Sequence, residues 1–226
     1  MIVKISEAWK ANYPEALVGT LVLHHVANPP QHLQLDRRKQ ELEDELRRRF
    51  TGATAADLAR LPAVPPYDRH YKRYKKTYPV LQQLESIALM NKSIPQVAAL
   101  VEAMFMAEVK NLLLTAGHDL KAVVEPVTLD VSRGDEYYVR LNGQEQRLKA
   151  GDMMMTDSQG VISSVIYGPD SRTRITLDTR HVFFVVYAPK GIKEEAIRQH
   201  LDDIRANVMI VAPEAEVGQL DVYGVS

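Results

Sequence analysis

The sequence predicts an α+β fold in which helices are followed by mostly antiparallel, packed sheets. Two periodicities lead to this prediction. Leu35, Leu42, Leu46 and Phe50 recur at helical spacing, whereas after Gly117 apolar and polar residues alternate with the period of two that is typical of strands. The composition, with 46% hydrophobic and 25% charged residues among 226, is that of a globular chain long enough to bury a core.

The N-terminal part mixes short strands and helices. Residues 2–5 and 17–26 are predicted strands, and Ser6 is a candidate N-cap for a brief helix between them. Residues 32–50 predict a solvated surface helix, because acids precede arginines at i,i+4 spacing along it. A short helix capped near Thr54 is expected to follow.

Three prolines, Pro62, Pro65 and Pro66, mark the best candidate boundary in the chain. We therefore expect residues 1–65 to form an N-terminal extension packed on a main domain of residues 66–226. This extension is expected to complete the same folded unit.

The main domain is predicted to place three helices before its sheets and one after them. These helices cover residues 67–78, 80–90, 96–110 and 193–207. The predicted strands cover residues 123–131, 137–141, 144–148, 153–156, 161–167 and 181–187, and a strand-like segment at 208–211 precedes a polar tail.

The Asn142-Gly143 dipeptide between alternating segments predicts a two-residue type I′ hairpin. In that register Arg140 would lie opposite Glu145, and the two would form a cross-strand ion pair. A functional role for Glu145 is the alternative.

Charge and motif content exclude several classes of function. The 28 basic and 29 acidic residues give a net charge of −1, so any RNA site must be local. Absence of cysteine excludes thiol catalysis and thiolate metal sites, and the sequence has no metal-ligand spacing and no phosphate-binding or dinucleotide-binding glycine motif. We expect no metal, no cofactor and no adenylate-forming site. The N-terminus has no apolar signal region, and we expect a cytoplasmic location without membrane association.

The predicted helix 67–78 combines two kinds of side chain. Tyrosines recur along one side at positions 67, 71, 74 and 78. The other side carries five cations, which we call the basic segment: Arg69, Lys72, Arg73, Lys75 and Lys76. Cations beside aromatic rings are typical of a nucleic-acid surface, where they contact phosphates and bases. The alternative, compatible with the first, is that the tyrosines pack into the core and the cations are merely solvated.

Two further segments offer polar chemistry. Gly117-His118-Asp119 is predicted to be a turn between helix and sheet, in which His118 is a candidate general base. Residues 167–174 supply a glycine, hydroxyls and arginines that either bind an anion or form an ordinary link between strands.

Four segments resemble, in order and spacing, the B3/B4 domain of the bacterial phenylalanyl-tRNA synthetase beta subunit. They read LNGQEQRLKAGD at 141–152, TDSQGV at 156–161, YGPDS at 167–171 and TRHV at 179–182. The resemblance covers roughly residues 67–188, and the whole chain is similar to free-standing proteins of this family that are described as RNA-binding. It implies a B3/B4-like α+β fold.

The resemblance also implies a pocket. In the synthetase this domain hydrolyses mischarged tyrosyl-tRNA, reading the tyrosine hydroxyl through polar side chains. Here apolar residues take three of those positions: Ala116 that of a histidine, Phe105 that of an asparagine and Val185 that of a glutamate. Gly168 matches the second glycine of a Gly-Gly turn. The expected pocket therefore comprises Phe105, Ala116, His118, Glu145, Gly168, Ser171 and Val185.

These observations favour an RNA-binding, tRNA-directed B3/B4 protein that does not aminoacylate tRNA and that contacts RNA through the basic segment. One alternative is a free-standing aminoacyl-tRNA deacylase that uses His118 as its base. Another is a protein that binds a small apolar ligand on the same scaffold, since a pocket without hydroxyl-reading groups loses that specificity.

Overall fold

The structure is a computed structural model that describes residues 1–225, and within them the chain forms seven α-helices and eleven strands. The helices are α1 (Glu7–Asn12), α2 (Leu33–Arg49), α3 (Ala55–Leu58), α4 (Val64–Lys72), α5 (Pro79–Ala88), α6 (Ala99–Asn111) and α7 (Glu194–Val211). The strands are β1 (Val3–Ile5), β2 (Leu17–His24), β3 (Thr115–Asp119), β4 (Val127–Val131), β5 (Tyr137–Val139), β6 (Glu145–Arg147), β7 (Met153–Asp157), β8 (Gly160–Ser164), β9 (Gly168–Pro169), β10 (His181–Ala188) and β11 (Glu216–Tyr223).

The strands form two main sheets, which confirms the predicted α+β class. One sheet has the order β1-β4-β7-β8-β9, and only its β1–β4 pair is parallel. The other has the order β11-β2-β10-β3 and is antiparallel throughout. Strands β5 and β6 form a separate hairpin.

The four-stranded sheet packs against α7 on one face and against the five-stranded sheet on the other. On its outer face Gly19 of β2 lies directly under Ile197 of α7, where a Cβ would come within 2.3 Å of the isoleucine side chain. On its inner face the Tyr187 hydroxyl of β10 meets Ser163 Oγ of β8 at 2.5 Å. Apolar side chains from both sheets and the helices form one large continuous core cluster, so the inner face is where a site between the sheets can form.

The segment 1–65 contributes to both sheets. Its strand β2 is an interior strand between β10 and β11, and its strand β1 extends the five-stranded sheet. The predicted caps are present, because Ser6 accepts the N–H of Trp9 and Thr54 forms a capping box with Asp57. Pro65 and Pro66, near the expected boundary, lie in the first turn of α4, a position where a missing N–H costs little.

The predicted helix 67–78 is wrong in its second half, because α4 ends at Lys72. Lys75 takes a left-handed conformation with φ +56°, and Tyr78 is the N-cap of α5 in front of Pro79. All four tyrosines are nevertheless buried, as expected of a core stripe. Tyr67 and Tyr78 stack face to face at 4.4 Å. The tyrosine spacing therefore runs from α4 through the turn that follows it to the N-cap of α5, and does not mark one long helix.

The predicted type I′ hairpin is also wrong. Only Gly143 has a positive φ, and its N–H bonds the Arg140 carbonyl at 2.8 Å, which makes a longer turn ending in a glycine bulge. Glu145 consequently pairs with Val139 rather than Arg140, and the expected Arg140–Glu145 ion pair does not form.

Two further elements differ from the prediction. The expected turn 117–119 belongs to the buried strand β3, where Gly117 is needed because a Cβ would approach Ile175 to 2.7 Å. At the C-terminus the expected strand 208–211 is the last turn of α7, and the expected polar tail contains β11, which pairs with β2.

Candidate functional site

A cavity of about 260 Å³ opens between the two sheets, and we call it the inter-sheet cavity. Ala116 of β3 and Tyr187 of β10 line one wall, and the segment from Ser164 to Gly168 lines the other. Tyr71 of α4 and Pro79 of α5 also line it, together with Leu114, Thr115 and Arg140.

Three side chains hold the segment after β8 in place. The Tyr71 hydroxyl donates to the Val165 carbonyl and the Tyr138 hydroxyl donates to the Gly168 carbonyl, each at 2.7 Å. Ser164 Oγ accepts the N–H of Tyr167 at 3.1 Å. Burial raises the pKa of Tyr71 well above its usual range, so the phenol keeps the proton that it donates. The wall is thus fixed by hydrogen bonds, and Gly168 supplies the φ of +81° that the turn requires.

The lining determines what the inter-sheet cavity can accept. Among the described residues that line it, Arg140 is the one ionised side chain, and none carries a carboxylate or an imidazole. No ion pair joins Arg140 to a carboxylate within residues 1–225. Aromatic and aliphatic groups supply most of the remaining surface, so the cavity suits a planar or apolar group, and one that is neutral or anionic.

The structure brings together part of the expected pocket. Ala116 and Gly168 both line the inter-sheet cavity, and Val185 is the direct cross-strand partner of Ala116. Sequence reasoning missed Arg140 and Tyr71 as lining residues. The regular spacing of Tyr71 with the other tyrosines indicated that it could be buried, whereas no local pattern indicated that Arg140 would reach the cavity.

Three other expected pocket residues lie elsewhere. Phe105 of α6 lines a separate groove of about 420 Å³ between α5, α6 and the loop that joins them. Glu145 is exposed on the β5–β6 hairpin. Ser171 lies half-buried in the loop after β9, where its N–H bonds the Val139 carbonyl.

His118 is on the same face of β3 as Ala116 but is fully buried beyond the cavity. Its Nδ1 lies 2.7 Å from Thr173 Oγ1, and that hydroxyl in turn donates to Asp170. Nδ1 therefore carries the proton, and Nε2 is buried without a hydrogen-bond partner among residues 1–225. Burial lowers the pKa of His118 to about 3, so the imidazole is neutral.

The basic segment lies at the surface, with all five cations exposed. One acid, Asp68, pairs with Lys72 at 2.6 Å. Lys75 and Lys76 form no ion pair within the part of the chain that the structure describes. The segment is therefore a local positive region on a nearly neutral protein.

The basic segment and the inter-sheet cavity meet at one contact. The Lys76 ammonium lies 4.9 Å from the centroid of the Tyr167 ring, and Tyr167 lines the cavity. A half-exposed aromatic ring with a cation over it thus stands beside the opening.

Comparison with protein families matches residues 67–207 to a family model described as the B3/4 domain. Among solved structures, the chain is similar to an N-terminal fragment of the phenylalanyl-tRNA synthetase beta subunit from Pyrococcus horikoshii, with 12% sequence identity and a TM-score of 0.48. That match covers 98% of this chain and 50% of the fragment, so the chain spans about half of the fragment's length. A comparison with curated proteins finds no significant match. No helix in residues 1–225 has the length and apolar character needed to cross a membrane.

Proposed function

This chain belongs to the B3/4 domain family, and we propose that it binds RNA of the tRNA class through the basic segment, without aminoacylating it. The single observation that carries the proposal is the contact between Lys76 and Tyr167, which makes the basic segment continuous with the inter-sheet cavity. Cations that bind phosphates beside a ring that can stack on a base are the groups that single-stranded RNA ends require.

The chemistry of the cavity favours a nucleobase over an aminoacyl group as its occupant. A base would present a planar face to Tyr167 and hydrogen-bond acceptors to Arg140. An aminoacyl ester would instead bring an amine, and no carboxylate lines the cavity to receive it. His118, the candidate base for ester hydrolysis, is buried outside the lining. These features support RNA binding rather than deacylation.

The test is fluorescence anisotropy of labelled tRNA titrated with the protein at low and near-physiological salt. If Lys72, Lys75 and Lys76 each contact a phosphate of a single-stranded end, a fourfold rise in salt should weaken binding by roughly twentyfold through these contacts alone, because each releases a counterion. Replacing all three with Glu should abolish binding at near-physiological salt. Arg73 is left unchanged because its guanidinium packs over the Tyr13 and Tyr74 rings.

A matched control reverses three exposed cations elsewhere, Lys4→Glu, Arg60→Glu and Arg198→Glu. It changes the net charge by the same amount and should retain most of the affinity. Equal loss in both variants would contradict a local RNA site and leave only a general charge effect.

The alternatives give different results in the same experiments. Ester cleavage across a panel of mischarged tRNAs, lost in a His118→Asn variant, would support the deacylase instead. Absence of any tRNA binding at low salt, together with a small apolar molecule that copurifies with the protein, would support the small-ligand alternative.

A further inference from the structure

A second cleft lies beside α4 and shares no lining residue with the inter-sheet cavity. It has a volume of about 260 Å³, and its lining includes Tyr13, Arg69, Arg73 and Lys190. We call this group the cationic cleft. Three of its four members are cations, so the cleft is suited to an anion.

Arg73 is held in place by neutral groups. Its Nη2 donates to the Tyr13 hydroxyl at 2.9 Å and to His70 Nδ1 at 2.5 Å. His70 is buried, and its Nε2 lies 3.4 Å from the fully buried Asp152 carboxylate, which keeps the ring proton on Nε2 and leaves Nδ1 as an acceptor. Burial lowers the pKa of His70, consistent with a neutral ring.

The orientation leaves most donors of Arg73 available. A guanidinium has five N–H donors, and both of those on Nη2 are used by Tyr13 and His70. Within residues 1–225, Nε and Nη1 of Arg73 donate to no protein group, and no carboxylate pairs with this arginine. Both two-point faces of a guanidinium include Nη2, so the remaining Nε–H and Nη1–H groups of Arg73 offer separate charge-assisted hydrogen bonds to an oxyanion, from a cation whose position is fixed in advance and which no carboxylate neutralises.

Arg69 and Lys190 add positive charge to the cleft. The Arg69 guanidinium lies beside Gly191, 3.9 Å from an ideal Cβ position there, and it forms no ion pair within the described residues. Lys190 pairs with Glu15, and both side chains are largely exposed. Exposed pairs of this kind contribute little, so Glu15 is a weak competitor for the lysine.

We propose that the cationic cleft binds a phosphate group of the RNA backbone through Arg73, Arg69 and Lys190, with Tyr13 and His70 as positioning residues. This inference rests on the proposed function and deepens it. Arg69 lies on α4 and Arg73 is the C-cap of the same helix, four residues later, and Lys76 follows in the chain at the inter-sheet cavity. A phosphate bound in the cleft would therefore fix the position of the RNA backbone beside α4.

Two measurements test the cleft. In the first, inorganic phosphate is titrated into the protein while the Nε–H signal of Arg73 is followed by NMR, and a saturable shift is expected. In the second, tRNA affinity is measured for Arg73→Gln, which should bind about tenfold more weakly and show a salt dependence lower by about one phosphate contact. Arg73→Lys keeps the charge but loses the planar donors that Tyr13 and His70 hold in place, so its tRNA affinity should lie between those of wild type and Arg73→Gln.

Matched variants separate the cleft from general charge effects. Arg60→Gln removes an exposed cation outside the cleft and should leave tRNA affinity within about twofold of wild type. Glu15→Gln removes the competing carboxylate and should raise phosphate affinity by up to about fivefold. Equal effects of Arg73→Gln and Arg60→Gln, or no saturable shift with phosphate, would overturn the inference.

The outcomes also distinguish this inference from the proposed function. Wild-type binding to tRNA that depends on Lys72, Lys75 and Lys76 but not on Arg73 would overturn the cleft alone. Saturable phosphate binding at Arg73 without any tRNA binding would overturn both RNA assignments and identify a free oxyanion as the ligand.

Discussion

Replacing Glu108 with Gln should make the protein more stable at neutral and alkaline pH. Glu108 lies on α6 and is 3% exposed, and its Oε1 accepts the N–H of Thr115 at 2.7 Å. It therefore ties α6 to the start of β3, the strand that carries Ala116 into the inter-sheet cavity. Burial raises the pKa of Glu108 to about 8 because the carboxylate loses its hydration.

The magnitude follows from proton linkage. Between the ordinary pKa of 4.5 and about 8, the folded protein holds a proton on Glu108 that the unfolded chain has released. The free energy of unfolding is therefore highest below pH 4.5, falls as the pH rises toward about 8, the pKa of Glu108 in the folded protein, and is not lowered further by this group above that pH. Each pH unit in this window costs about 1.4 kcal/mol, so wild type should lose about 3 kcal/mol between about pH 5.5 and 7.5 through this group.

Glu108→Gln keeps the acceptor for Thr115 and replaces the acid proton with an amide donor, so it has no such pH dependence. The assay is urea unfolding of wild type and variant across this pH range. The contributions of all other titrating groups cancel in the difference between the two unfolding free energies. The advantage of the variant should grow by about 3 kcal/mol with rising pH. Parallel stability curves would mean that Glu108 is already ionised in the folded protein, and would refute the reasoning.

Two further predictions concern stability. Gly19→Ala should destabilise the protein by about 1–3 kcal/mol in chemical denaturation, because its Cβ would press into Ile197 of α7; an unchanged midpoint would show that α7 can shift. His200 is fully buried on α7. Burial lowers the pKa of both His118 and His200 to about 3, below the usual 6.5, so the unfolded chain binds protons that the folded protein does not. Below pH 6.5 the two histidines together should therefore lower the free energy of unfolding by about 3 kcal/mol per pH unit. His118→Asn, which retains a donor toward Thr173, should halve that contribution, and a slope equal to wild type would contradict it.

The local patterns of the sequence predicted most of the elements. Helix α2 and its buried stripe of Leu35, Leu42 and Leu46 were predictable, because amphipathic periodicity is a local property. Of the expected i,i+4 charge pairs, Glu43–Arg47 is the one that forms within the described residues. The resemblance carried by four short segments predicted the family that the match over residues 67–207 confirms. Gly117 led to the wrong prediction of a turn. The reason for a small residue there is the close approach of Ile175, which is distant in sequence.

The residues of the candidate site also fall into those that the sequence predicted correctly and those that it did not. Sequence reasoning identified Ala116, Gly168 and the basic segment, but it also grouped Phe105 and Glu145 with them. The structure separates these two from the inter-sheet cavity, because Phe105 lines a different groove, between α5 and α6, and the hairpin register leaves Glu145 in solvent. A one-residue difference in the turn at Gly143 decided that register.

The sequence by itself determined the family to which the chain belongs and much of the apolar pattern of its core, but not the burial of His118 or Glu108. Burial of the tyrosine stripe, the capped helices and the alternating strands all follow from local periodicity, since the hydrophobic effect depends on the apolar area that each side chain can remove from water. Only the tertiary structure decided that Lys76 meets Tyr167, that Arg73 is oriented by Tyr13 and His70, and that His118 lies outside the inter-sheet cavity. These contacts are directional and join segments far apart in the chain, so they are set by strand register and by the packing of one sheet on the other.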